Sequence, residues 1–136
     1  MSRVKHIAYV VNDLEESASF FEEVLGFRRY SKVKRPGNFP GDSMLITDGE
    51  LNVTLLAPDP HIERKAWNQG TAGPNHIGIE AADAPAIYAE LKQRGIQTYG
   101  EEKSEQPRFF KFRDPNGVEI DVSVPERGWP IPERAP

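Results

Sequence analysis

The sequence predicts an α+β protein built from two βαβββ modules. Three observations carry that prediction: a repeated strand-to-helix segment, a glycine stop after each helix, and strands whose residues alternate between an apolar and a polar face. The first copy of the segment is His6-Ile7-Ala8-Tyr9-Val10-Val11-Asn12-Asp13-Leu14, an apolar strand with one histidine that runs through Asp into a helix. The second is Asn75-His76-Ile77-Gly78-Ile79-Glu80-Ala81-Ala82-Asp83-Ala84-Pro85. Each copy continues into an amphipathic helix ended by glycine, at Gly26 and at Gly95. A repeat this long in a chain of 136 residues means two copies of one supersecondary unit. The expected organisation is a single domain over 1–136, with one module at about 3–58, a connector at 59–74, a second module at about 75–124 and an irregular tail at 125–136.

In the first module, residues Val4 to Val11 alternate as a half-buried strand does, with His6, Ala8 and Val10 on one face and Ile7, Tyr9 and Val11 on the other. Asp13 fits an N-cap, and Glu15 and Glu16 lie where the helix dipole favours negative charge. Leu14, Ala18, Phe21, Val24 and Leu25 then recur at helical spacing. Phe27 to Val33 reads as a strand, and the prolines and glycines of residues 35–42 read as a loop. Two more strands follow, Ser43 to Thr47 and Leu51 to Leu56, joined by a turn at Asp48-Gly49. In the second module a strand from His76 to Glu80 leads to a helix over about Ala84 to Gln93, buried through Ile87 and Leu91. Short strands fit around Thr98, from Phe109 to Arg113 and from Val118 to Val124, the last two joined by the turn Asp114-Pro115-Asn116-Gly117. The prolines of the tail exclude regular structure there, and Trp129 is its expected anchor.

Hydrophobic content of 38%, with seven Phe, four Tyr and two Trp, suffices for a core. No apolar run approaches the roughly 20 residues of a membrane-spanning helix, and the polar start Met1-Ser2-Arg3 leads straight into a strand rather than a signal peptide. There is no cysteine, which removes disulfides, thiolate ligands and cysteine nucleophiles and makes a cytoplasmic setting the default. A net charge of −4 argues against nucleic acid as a partner. The basic stretch Arg28, Arg29, Lys32, Lys34 and Arg35 reads as a solvated strand and loop, with steering of an anionic substrate as the alternative.

Strand parity points to the chemistry. Leu51, Val53 and Leu55 suit a helix-covered face, which leaves Asn52 and Thr54 opposite; Val118, Ile120 and Val122 likewise leave Glu119, Asp121 and Ser123 opposite. If Ile7, Tyr9, Ile77 and Ile79 lie under the helices, then His6, His76 and Asp121 share the polar side. Two imidazoles and a carboxylate suit Zn, Fe, Mn, Co or Ni and leave positions open for substrate. Strand histidines also occur as hydrogen-bonded packing residues; their matched positions in the two copies favour the metal reading.

The segments His6 to Leu14, Phe20-Phe21-Glu22-Glu23-Val24-Leu25-Gly26-Phe27, Asn75 to Ile79 and Phe112-Arg113-Asp114-Pro115-Asn116-Gly117-Val118-Glu119-Ile120-Asp121 together resemble the vicinal oxygen chelate superfamily, which includes glyoxalase I, bleomycin-resistance proteins and extradiol dioxygenases. The Phe-x-Asp-Pro-Asn-Gly turn before a strand is the most specific of these signals. The resemblance implies paired βαβββ modules forming a curved mixed sheet around a cleft. It also implies ligand positions at His6, Thr54, His76 and Asp121. Thr54 stands where isomerase and epimerase members carry Glu or Gln, and Asp121 where Glu is usual. What remains, His6, His76 and Asp121, is the ligand set that extradiol-type members use.

By the same resemblance, one divalent metal (Fe, Mn, Ni or Zn) is the expected cofactor and a small oxygen-chelating metabolite the expected substrate, with dioxygenase or lyase and isomerase chemistry both open and a homodimer the expected assembly. Glu119 and Tyr99 are the candidate catalytic residues, as base and proton donor. Phe39, Met44, Thr54, Trp67, Arg108 and Phe109 are the candidate substrate contacts, each of which also reads as a packing residue. His61 reads as a loop residue. The alternative function is a metal-free small-molecule binding protein of the bleomycin-resistance type, favoured by Thr54 and Asp121.

Overall fold

The computed structural model describes residues 6–36, 39–63 and 76–127. Its element order is β1 (His6–Val10), α1 (Leu14–Leu25), β2 (Arg28–Val33), β3 (Gly41–Thr47), β4 (Asn52–Pro58), β5 (His76–Glu80), α2 (Ala84–Gln93), β6 (Thr98–Tyr99), β7 (Phe109–Arg113) and β8 (Glu119–Ser123), then a short 3₁₀ turn at Pro125–Arg127. Each half is thus βαβββ. The two four-stranded sheets have the orders β1-β4-β3-β2 and β5-β8-β7-β6, with a parallel pair first and antiparallel pairs after it in both. The chain divides into two compact units, Met1–Gln69 with Asp114–Gly117, and Gly70–Arg113 with Val118–Pro136. Expectations for Trp67, Trp129 and most of the connector fall outside the described residues.

In the first unit α1 begins as its sequence dictates. The Asp13 carboxylate accepts the Glu16 amide at 2.8 Å, and Gly26 closes the helix with φ of 73°, a left-handed conformation natural to glycine. Ala18, Phe21 and Val24 are buried against one face of the sheet, where Tyr9, Met44, Ile46, Val53 and Leu55 meet them. In register Met44 lies opposite Leu55 and Ile46 opposite Val53, so all four share that core face. Met44 is therefore not a substrate contact but a core residue, 4% exposed.

The turn Asp114–Gly117 groups with this unit rather than with the strands it joins. The buried Tyr9 hydroxyl donates to Asp114 Oδ2, and the Asn116 amide nitrogen donates to Asp114 Oδ2 and to Ser17 Oγ, both at 3.0 Å. Asn116 Oδ1 accepts the Asn12 backbone N–H at 2.7 Å. The most specific family segment is thus a structural clamp: its polar side chains hold β1 and the start of α1.

The second unit repeats the pattern with a shorter helix. Ile87 and Leu91 of α2 are buried, as are Phe110, Phe112, Ile120 and Val122 of the sheet, and Tyr88 meets Phe110 edge to face at 5.3 Å between centroids. Gly95, with φ of 70°, follows the helix end. Among the described residues no helix of this unit covers the other face of the sheet, and its side chains supply the candidate site.

Candidate metal site

Register decides which side chains meet on the helix-free face of the second sheet. His76 lies opposite Glu119 and Gly78 opposite Asp121 across β5 and β8; Lys111 lies opposite Asp121 and Arg113 opposite Glu119 across β7 and β8; Tyr99 lies opposite Lys111. The expected parity of β8 holds, with Ile120 and Val122 toward the helix and Glu119, Asp121 and Ser123 on the other side. That side is less wet than its polarity suggests, since Asp121 and Ser123 are buried.

His76, Glu119 and Asp121 each offer a ligand atom, and these atoms lie within 4.8 Å of one another. His76 Nδ1 is 3.5 Å from Glu119 Oε2, and His76 Nε2 is 3.6 Å from Asp121 Oδ2. The second oxygen of Asp121, Oδ1, is buried and has no hydrogen-bond partner among the described residues. A buried carboxylate oxygen without a donor is costly unless a cation satisfies it. An imidazole and two carboxylates with donor atoms this close together are the donor types that Mn, Fe, Zn or Ni take. The residues fit a divalent ion.

Two further side chains complete the cluster. Tyr99 donates from its hydroxyl to Glu119 Oε1 at 2.9 Å. Burial first, and the hydrogen bond to Glu119 second, push the Tyr99 phenol up to about 12. It therefore stays protonated at neutral pH and fixes one oxygen of Glu119, leaving Oε2 toward His76. Lys111 places its ammonium 3.2 Å from Asp121 Oδ2 and 4.0 Å from Glu119 Oε2. Nothing in the linear sequence marks Lys111; only its cross-strand register with Asp121 brings it here.

The remaining candidates are placed as follows. Phe109 lies on the same face of β7 as Lys111, whose ammonium is 5.9 Å from its ring centroid. Arg108 does not join the cluster: its backbone N–H donates to Glu102 Oε1 at 2.6 Å and its guanidinium is turned to the same carboxylate, which Arg127 also pairs. In the first unit His6 and Thr54 lie on the helix-free face of their own sheet. Asn52 Oδ1 is 2.8 Å from His6 Nδ1 and accepts the Thr54 hydroxyl at 3.0 Å. A proton on His6 Nδ1 would donate to that amide oxygen and leave the Nε2 lone pair for a ligand role. Phe39 sits half-buried in the β2–β3 loop. His61 lies in a turn after β4.

The profile of the Glyoxalase/Bleomycin resistance protein/Dioxygenase superfamily matches residues 3–122. The chain belongs to this superfamily. The human mitochondrial methylmalonyl-CoA epimerase is 30% identical over 106 residues, covering 75% of this chain and 59% of its own length. YaeR of Escherichia coli K12, an uncharacterised protein, is 25% identical over 124 residues, covering 90% of this chain and 95% of YaeR. Among solved structures, the trypanothione-dependent glyoxalase I of Leishmania major superposes with a TM-score of 0.75 at 21% identity, over 93% of this chain and 88% of that one. The last likeness establishes the shared α+β superfamily fold. No described helix is long and apolar enough to cross a membrane.

Proposed function

We propose that this superfamily member is a divalent-metal-dependent enzyme that acts on a small metabolite through two of the metabolite's oxygen atoms. The observation that carries the reading is the convergence of His76, Glu119 and Asp121 beside a buried, unpartnered carboxylate oxygen. When bound, the metal supplies Lewis acidity toward the substrate's oxygens. The chain's own residues hold and aim that charge. Asp121, fixed in the buried strand β8, and His76, on the parallel strand beside it, converge from adjacent backbones. Tyr99 orients Glu119 through its hydrogen bond, so Glu119 acts in this proposal as a ligand rather than as the base, and Tyr99 as a positioning residue.

By the repeat His6, oriented by Asn52 within its own unit, is a candidate ligand there. Of the chemistries open to such a site, isomerase or lyase reactions are favoured over dioxygenation by the similarity to methylmalonyl-CoA epimerases, joined by a relative named Glyoxylase I 4 from Arabidopsis thaliana. Homodimerisation in the cytoplasm belongs to the same proposal; light scattering that returned a monomer mass at micromolar concentration would remove the dimer.

Manganese binding tests the metal reading. Titration of Mn(II) into the metal-free protein, followed by electron paramagnetic resonance of the free ion, is expected to show about one site. His76→Ala is expected to weaken that site by at least about a hundredfold, since outer-sphere changes alone commonly cost 10–100-fold. Full-strength binding in His76→Ala, or none in the parent, excludes this site. In the second case a metal-free ligand-binding protein becomes the better account, and Thr54, which cannot supply a strong ligand, is the residue that favours it.

A further inference from the structure

The ammonium of Lys111 sits on the same carboxylate oxygens that the proposed metal would take. Its distances, 3.2 Å to Asp121 Oδ2 and 4.0 Å to Glu119 Oε2, match the approach of His76 to those two atoms. The side chain is held there by its stem. Gly100, with φ of 61°, leaves the space that the stem fills: a β-carbon at that position would lie 3.3 Å from Lys111 Cδ and 3.5 Å from Cε. Phe109 flanks the ammonium on the same strand face.

Charge bookkeeping then assigns Lys111 a role. The two carboxylates and the Lys111 ammonium sum to −1, and the exposed Arg113, opposite Glu119 and 5.9 Å from the Tyr99 ring centroid, adds a positive charge at the rim. A metal-bound imidazole is neutral, so adding a divalent ion makes the cluster net positive. An ion that holds Asp121 through both oxygens would satisfy Oδ1 and also take Oδ2 from the ammonium, which would free Lys111 at the edge of the metal site without moving its strand. A lysine beside a metal disfavours the metal and favours a negatively charged ligand, for the same Coulombic reason.

We infer that Lys111 is the specificity-determining residue of the site, and that the substrate it selects is an anion: a small oxygen chelator bearing a carboxylate or comparable oxyanion. This rests on the metal reading above. It separates from a structural role by sign, because removing the ammonium is expected to strengthen metal binding and weaken anion binding, whereas a damaged fold weakens both.

The experiment uses Mn(II) and oxalate as probes. Mn(II) affinity is measured for the full-length parent, Lys111→Met and Lys111→Arg, and oxalate affinity is then measured calorimetrically on each manganese-loaded protein. Lys111→Met is expected to bind Mn(II) several-fold more tightly than the parent and oxalate about tenfold more weakly, the usual scale of one charge-assisted hydrogen bond. Lys111→Arg is expected to keep most of the oxalate affinity. Manganese uptake by all three with oxalate affinity unchanged in Lys111→Met overturns the assignment of Lys111 and leaves the metal site standing. Manganese uptake by none overturns the metal reading and this inference with it.

Discussion

At the scale of single residues, Tyr99 is the most sharply defined. Its phenol is driven up to about 12 by burial and by the Glu119 hydrogen bond, so the folded state holds the proton more tightly than the unfolded chain, where Tyr ionises near 10. The stabilisation from the protonated phenol is complete below about pH 10 and is lost as pH rises through about 12. Absorbance titration near 295 nm is expected to show a tyrosine ionising late, and Tyr99→Phe should remove that phase and flatten the fall in stability over pH 10–12. An unchanged titration in the variant would remove Tyr99 from the cluster. Lys111 and Tyr99 also show where residue types mislead. A strand lysine reads as a solvent-facing residue, and a tyrosine reads as a proton donor; each is defined here by its partner on the next strand. Asn52 was visible only as a polar residue opposite the core, and its role as the partner of His6 follows from the parallel register of β1 and β4.

Elements were more legible than contacts. The helices, their Asp13 and glycine ends, and the strict alternation of β1, β4 and β8 follow from local chemistry, and the structure reproduces them with shifts of one or two residues. β3 was harder because Met44-Leu45-Ile46 is an unbroken apolar run, so its parity cannot be read from the run itself. Pairing with β4 resolves it, placing Met44 and Ile46 in the core and Leu45 on the opposite face. β3 also contains a close backbone approach. A β-carbon on Gly41 would lie 2.1 Å from the Ala57 carbonyl oxygen and 2.8 Å from the Pro58 α-carbon. Backbone cannot yield as a side-chain tip can, so Gly41→Ala is expected to cost roughly 3 kcal/mol or to displace the β3–β4 pairing, a mechanism in the upper range for single substitutions. Chemical denaturation checks this, and a loss under about 0.5 kcal/mol would show that the strand ends separate without consequence. Gly26, whose added β-carbon meets nothing within 4 Å, makes a useful contrast, because only its positive φ is at stake.

For the molecule as a whole, the repeat seen in the sequence is a repeat of topology: two βαβββ units with matching strand orders. What the linear pattern could not convey is how differently the two copies are furnished. The helix-free face of the first sheet carries His6, Asn52 and Thr54 linked by hydrogen bonds, while that of the second carries two carboxylates, an imidazole, a phenol and an ammonium. Thr54 supplies no strong donor in the first copy, whereas in the second Glu119 joins Asp121 to make a pair. On this account the donors for the metal are concentrated in one unit. The account stands or falls on that metal. Tag-free protein should be purified beside Asp121→Asn, which preserves the side chain's shape, and both assayed by inductively coupled plasma mass spectrometry. About one equivalent of Mn, Fe, Ni or Zn in the parent and less than a tenth of that in the variant is the predicted result. Equal metal content in the two, or a parent that carries none and takes up none on dialysis against those ions, would contradict it.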